Sequence, residues 1–321
     1  MRSSTLAATV ALMLGLSNVS AGSEYPTHPI RILVGFSAGS TTDILARSLG
    51  QKMRETWGQP VLVDNRPSAG GINAASVVAS AAPDGYTLLV VSTGHAATAA
   101  MFPTLPYDTL KDFAGVSRIV NVPSLLVVSP ALGVKSVKDL VALAKAKPGQ
   151  LNFSSPGIGS ANHLAGELFT NLAGIQAVHV PYKGIPEAMA AVVSESIQFS
   201  FQPVTNALPL THDGKLLALA TSTGRRLAGM PGLPTVAEAG VPGYRFDPWY
   251  GMLAPARTPK ALLDKLSGEV ARIVELPEFR EQMRALGAEP APTTPEGFDN
   301  LVRSEVAKYE KIVRDAHIQP E

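Results

Sequence analysis

The chain has 321 residues, 45% of them hydrophobic and 17% charged, with 27 Lys and Arg against 26 Asp and Glu. Such a makeup supplies apolar surface for one or two cores and argues against disorder, while a formal charge of +1 leaves no basic stripe for nucleic acid. The absence of cysteine excludes disulfides, thiolate metal sites, cysteine nucleophiles and the acylated cysteine of a lipoprotein.

Met1 to Ala21 places Arg2 ahead of an apolar segment, Leu6 to Leu16, followed by the small residues of Val19-Ser20-Ala21. This pattern is that of a secretory signal cut after Ala21. No later run reaches the roughly 18 to 20 apolar residues of a membrane helix. The expected product is a free, soluble periplasmic protein, acting as a monomer.

From Ile30 onward, short β-branched runs alternate with amphipathic stretches, the pattern of parallel strands covered by helices. Strands are expected at 30–36, 60–64 and 86–92, with helices at 41–56 and 72–81. A β-rich stretch at 116–128, interrupted by Asn121 and Pro123, opens a second series. There Ser136 starts a helix with Asp139 as its capping partner. Strands follow at 151–154, 177–180, 197–201 and 216–221, and helices at 160–173 and 185–194. A Gly/Pro-rich stretch to Gly243 precedes a strand at 249–253, and helices at 259–276, 278–286 and 295–316 end the chain. Two βα series joined by two extended passages predict an α/β protein of two lobes with a cleft between mostly parallel sheets. Residues 1–21 are then the signal peptide, 22–122 and 250–321 one lobe, and 123–249 the other, with hinge segments near Val122 to Val128 and Trp249 to Leu253.

Two chemistries can be read from the turn after the first strand. Gly35-Phe36-Ser37-Ala38-Gly39 spells G-x-S-x-G, the elbow on which serine esterases expose a nucleophile. The same residues describe an anion cradle of backbone N–H groups backed by a helix N-terminus. Asn152 to Ser160 repeats the arrangement in the second series: strand, Gly/Ser turn, helix start. One such turn per lobe makes a pincer for a carboxylate, which would be met by amides and hydroxyls because neither turn contains Lys or Arg. A hydrolase needs more: an oxyanion loop earlier in the chain, and partners such as Asp213 or Asp247 with His317.

His28, His95, His163, His179, His212 and His317 show no metal-ligand spacing, so no metal site is expected. His163, one turn into the second helix, is a candidate for facing the cleft, the alternative being a surface or capping residue. There is no P-loop and no dinucleotide fingerprint, hence no cofactor.

Segments running from YPTHPIRILVGFSAGSTTDILAR through GQPVLVDNRPSAGG, APDGYTLLV, YDTLKDFAGVS, LNFSSPGIGSANHLAGELF, VHVPYKG, PTVAEAGVPGY and WYGMLAPARTPK to ALGAEP resemble the Bug family, the TctC-type receptors of tripartite tricarboxylate transporters. The resemblance covers the chain from Tyr25 to the C-terminus. It implies a Venus-flytrap (type II) periplasmic binding protein in which both cradles grip one ligand carboxylate through amides, hydroxyls and two bridging waters. Its partners would be integral-membrane transporter subunits or, alternatively, a sensor. Carried over by position, the first cradle runs from Phe36 to Asp43, with Phe36, Ser37, Ala38, Gly39, Ser40 and Thr41 as its ligand contacts. The second comprises Ser154, Ser155, Pro156, Gly157, Gly159 and Ser160, with His163 behind it. Asp43 would brace the first helix. Thr93, Tyr182, Phe201, Gln202, Trp249 and Tyr250 are candidates for distal contacts, with hinge core as the favoured reading of Phe201 and Trp249. Val193-Ser194-Glu195-Ser196 departs from the family, which commonly has a Leu-x-Gly-Gly run here, and many members place an acid or amide at the position of Gln202.

Overall fold

The computed structural model describes residues 25–285 and 287–315. The expected signal segment, His317 and the end of the last predicted helix lie outside the described residues. The first sheet takes β1 (Ile30–Val34), β2 (Val61–Asn65) and β3 (Thr87–Ser92), with α1 (Thr41–Trp57), α2 (Ile72–Ala79) and α3 (Gly94–Met101) between and after them. The long β4 (Phe113–Asn121) completes this part of the chain and hands over to β5 (Ser124–Val128) in the second sheet. Then come α4 (Val137–Ala146), β6 (Leu151–Ser155), α5 (Ala161–Ala173), β7 (Ala177–Pro181), α6 (Ile185–Val193), β8 (Phe199–Pro203), α7 (Val204–His212) and β9 (Leu217–Thr221). The chain returns to the first sheet as β10 (Trp249–Pro255), and finishes with α8 (Lys260–Glu275), α9 (Pro277–Ala285), the short β11 (Glu289–Pro290) and α10 (Pro295–Asp315).

The strand orders are β11-β4-β10-β3-β1-β2 and β7-β6-β8-β5-β9. The α/β class with two sheets is as expected, but the sheets are mixed rather than mostly parallel. β1 pairs parallel with β2 and β3, and β6 with β7 and β8. By contrast β10 runs antiparallel to β3 and β4, and β5 to β8 and β9. The reason is connectivity: β5 and β10 enter their sheets from the other lobe, free of the crossover helix that enforces parallel pairing.

The β-rich stretch at 116–128 divides at Val122-Pro123 into strands of different sheets. Pro123 has no N–H to continue a ladder. Val122 N–H instead donates to Pro248 O at 3.1 Å, so the two interlobe passages run side by side. Helices α3 and α7 were not expected from the sequence. Both lack a side-chain N-cap, α3 is built of small residues, and α7 contains Pro209.

Amphipathic spacing sets the packing of the others. In α1, Leu45, Ala46, Leu49 and Met53 are buried, and the helix stops at Gly58, whose left-handed φ of 69° lets its N–H bond Arg54 O. Along β1, Ile30, Ile32 and Val34 join one core cluster and Leu33 another, the two-residue alternation of a sheet covered on both faces. Glu195, the non-glycine residue with φ of 65°, sits in the run where the resembling family places glycine.

Candidate functional site

Both Gly/Ser turns leave the C-terminal end of a strand flanked by two parallel neighbours, β1 and β6, where open α/β sheets bind ligands. Each reverses through left-handed glycines, Gly39 in the first, Gly157 and Gly159 in the second. In the first turn Gly39 N–H donates to Asp43 Oδ2 at 2.9 Å, while Asn65 Nδ2 and Arg47 Nε donate to Asp43 Oδ1 at 3.0 and 2.9 Å. Burial alone would raise the Asp43 pKa, but the hydrogen bonds from Arg47, Gly39 and Asn65 outweigh it and hold the carboxyl below its ordinary value. Asp43 therefore braces the turn.

The second turn is held from within. Ser160 Oγ accepts from His163 N–H at 3.2 Å and His163 Nδ1 from Gly159 N–H at 3.3 Å. Ser155 Oγ accepts from Gly157 N–H at 3.1 Å and lies 2.6 Å from His179 Nε2. The His163 and His179 rings stack at 3.9 Å. Burial, with a smaller contribution from His163, pushes His179 down to about 3, which keeps this support neutral.

The two turns meet at one small cavity of about 10 Å³. Phe36 and Thr42 line it from the first turn and α1, and Pro156, Ser160, Ala161 and Asn162 from the second turn and α5, with Ser92, Ile185 and Tyr250 closing the sides. Thr42 Oγ1 is buried there without a hydrogen-bond partner. The N-cap Ser40 makes no side-chain cap to α1, so the first amides of that helix receive no acceptor from it. The starts of α1 and α5, and of α6 at Ile185, thus share one cavity. Three positive dipole ends directed at one space repel each other and attract an anion.

Polar contacts close the cleft around this point. Asn206 Nδ2 donates to Gly39 O at 2.8 Å, Thr41 Oγ1 to Asn206 Oδ1 at 2.7 Å, and Ser37 Oγ to Glu187 Oε2 at 3.1 Å. Gly184 permits the approach: a Cβ on it would lie 1.8 Å from Ser37 Oγ.

Of the residues singled out from the sequence, Phe36, Pro156 and Ser160 line the cavity, as does Tyr250 among the distal candidates. In the first turn Ser37 is half-buried and Ala38 and Gly39 are exposed, with Ser40 and Thr41 buried at the start of α1, while Gly157 and Gly159 shape the facing turn. Several others are engaged elsewhere. Thr93 Oγ1 accepts from Trp249 N–H at 2.8 Å, Ser154 Oγ donates to Ala188 O at 2.9 Å, and Gln202 Nε2 donates to Ser200 Oγ at 2.8 Å. Ser155 and His163 support the second turn from behind, and Tyr182 is half-buried beside Gly157. Phe201 stacks on Tyr244 in the core. Thr42 lies within the span Phe36 to Asp43 expected for the first cradle, without having been singled out as a contact. Ser92, Ala161, Asn162 and Ile185 are cavity residues outside the sequence-derived set; Ser92, Ala161 and Asn162 each adjoin a member of it, the signal that could have found them.

Among the described residues the esterase geometry is not formed. Ser37 Oγ faces the Glu187 carboxylate, while Asp213 pairs with Lys215 and Asp247 with Arg245. Among the described residues there is no cluster of three or more His, Asp or Glu able to hold a metal, and no helix long and apolar enough to cross a membrane.

A family model described as "Tripartite tricarboxylate transporter family receptor" matches residues 45–318. Protein BugT of Bordetella pertussis is 31% identical over 320 residues, covering 98% of each chain. Among solved structures, R. palustris Rpa4515 with adipate superposes with a TM-score of 0.89 at 35% identity, over 92% of this chain and 100% of that one. The periplasmic binding protein BugD gives 0.88 at 31%, and MatC from Rhodopseudomonas palustris with bound malate 0.85 at 32%, covering 92% and 90% of this chain and all of theirs. These similarities to binding proteins exclude the hydrolase. The chain belongs to the tripartite tricarboxylate transporter receptor family, as a two-lobed binding protein of the Bug and TctC type.

Proposed function

We propose that the protein captures a small mono- or dicarboxylate, aliphatic or aromatic, between its two Gly/Ser turns and delivers it to the membrane subunits of a tripartite tricarboxylate-type transporter. One observation carries the reading: the N-termini of α1 and α5 face one cavity in which Thr42 Oγ1 has no partner. A carboxylate placed there accepts from Thr42 Oγ1 and from the first amides of both helices, and it relieves the repulsion between their dipoles. Each such bond contributes roughly 1.5 to 3 kcal/mol. Four to six of them offset the cost of association without any cation, leaving about −8 kcal/mol, micromolar affinity. The complexes of Rpa4515 with adipate and MatC with malate support this class of ligand.

A cavity of about 10 Å³ is smaller than any dicarboxylate, so the lobes part to admit one. The contacts from Asn206, Glu187 and Ile185 to the first turn open, and closure on the ligand is driven by what it touches on both sides. Export by the signal at residues 1–21, cleavage after Ala21 and action as a periplasmic monomer complete the proposal.

Thermal-shift measurements with adipate and malate test it. Ligand at about 100 times its dissociation constant adds roughly 2.7 kcal/mol to stability. The dimethyl esters, lacking the charge, are expected to give no shift. Equal responses to acid and ester, or none across a series of mono- and dicarboxylates, would overturn it.

A further inference from the structure

A much larger cavity, of about 750 Å³, lies on the other side of the interlobe passages. Strand order shows this. The small cavity is built at β3 and β1 in the first sheet and at β6 in the second, whereas the large one is built at β4 and β11 and beyond β9. β10 stands between them. Its volume falls in the range of small-molecule sites.

Its chemistry is cationic. Arg118, Arg225, Arg226, Arg245 and Lys308 line it against Asp247, Glu289 and Glu305, five positive groups to three negative. Arg225 pairs with Glu289 at 3.2 Å, Arg245 with Asp247 at 2.5 Å and Lys308 with Glu305 at 3.1 Å. Arg226 pairs with Glu238 at 2.8 Å, a residue outside the lining. Arg118 is different: Nε donates to Ala291 O at 2.8 Å, and among the described residues it forms no salt bridge. Burial unopposed by a carboxylate lowers its pKa. Trp249, also in the lining, is 2% exposed and its indole N–H has no acceptor. A half-buried guanidinium lacking a counter-charge, an orphan donor and an excess of cations call for the same complement, an anion.

We propose that this cavity is a second site, for a small anion of two or more negative charges held by Arg118, Arg225 and Arg245 beside Trp249. The site is independent of what occupies the small cavity. Trp57 and Trp249 are the two tryptophans of the chain, and Trp57 packs on Tyr25, away from this cavity. A W57F chain therefore reports from Trp249 alone.

The test titrates that chain with pyrophosphate and with citrate, each against sodium chloride of matched ionic strength, reading tryptophan emission. A saturable change is expected with either polyanion. Saturation by citrate alone identifies a polycarboxylate site, and saturation by both a general polyanion site. The dissociation constant should rise by at least about tenfold in R225Q/R245Q, whose side chains are exposed and carry no core packing, and again in R118Q. It should be unchanged in T42V, which alters only the small cavity. A response no larger than that to sodium chloride, one that persists in both arginine variants, or one abolished by T42V overturns the proposal.

Discussion

Replacing Thr42 by valine separates a ligand contact from a structural hydroxyl, because the two roles predict opposite signs. The side chains are nearly isosteric and equally β-branched, so packing and helix propensity hardly change and only the hydroxyl is lost. Thr42 is 2% exposed and its Oγ1 has no partner. Leaving a buried hydroxyl unsatisfied costs about 1 to 3 kcal/mol, so the ligand-free variant should be more stable by about 1 kcal/mol or more. The liganded protein loses one charge-assisted hydrogen bond, roughly 1.5 to 3 kcal/mol, which weakens binding about tenfold to a hundredfold. Chemical denaturation without ligand gives the first quantity, and calorimetric titration with the acid that produces the larger thermal shift gives the second. A variant that is less stable yet binds as tightly would refute the assignment of Thr42 to the ligand.

Gly184→Ala should prop the cleft open. The backbone is extended there (φ −169°), so alanine brings no strain, but its Cβ meets Ser37 Oγ and Glu187 Oε2. Titration should show affinity down about tenfold or more with the denaturation midpoint little changed, and Ser37→Gly should recover part of the loss. Acid should destabilise the protein through His95, which burial pushes from 6.5 to about 4. The unfolded chain takes up this proton first, so the stability is complete above 6.5 and is lost as pH falls towards 4, by about 2.5 kcal/mol between about pH 7.5 and 4.5. Urea midpoints of His95→Leu should lack that part of the slope; parallel curves would count against a neutral buried imidazole. Glu195→Gly should stabilise by about 1 kcal/mol, because Glu195 is exposed and its φ of 65° is one that glycine adopts freely. A lower midpoint in thermal denaturation would show that the Glu195 side chain does something else.

The two turns were legible in the sequence because their chemistry is local. A β-branched run, glycines able to reverse the chain and a hydroxyl at the helix start suffice to place Gly39, Ser40, Gly157 and Ser160. What lay beyond local signals was not legible. Strand direction in β5 and β10 depends on which sheet the chain re-enters. Helix α3, GHAATAAM, has no charged face to mark its period, and Pro209 in α7 argues against the helix that contains it. The sequence offered Ser154 and Ser155 as cradle hydroxyls and Thr93 as a distal contact, but tertiary neighbours absorbed them: Ala188 O, Gly157 with His179, and the Trp249 backbone. Ala161 and Asn162 fall inside a helix in the sequence reading, as does Thr42 although it lies within the first cradle's span, and local spacing does not tell a cavity-facing residue there from its neighbours. Only the facing of one helix start by another turns them inward.

Trp249 and Tyr250 are consecutive residues of one strand, and the alternation of side chains along β10 sends one into the large chamber and the other into the small one. The two spaces share a wall one strand thick, standing where the chain passes between lobes. A guest in either space therefore meets side chains of one parity along that wall and not the other. Bulk or charge added at Thr223, Ala228 or Arg245 accordingly changes the large chamber and leaves the lining of the small one as it was, since none of these residues belongs to it.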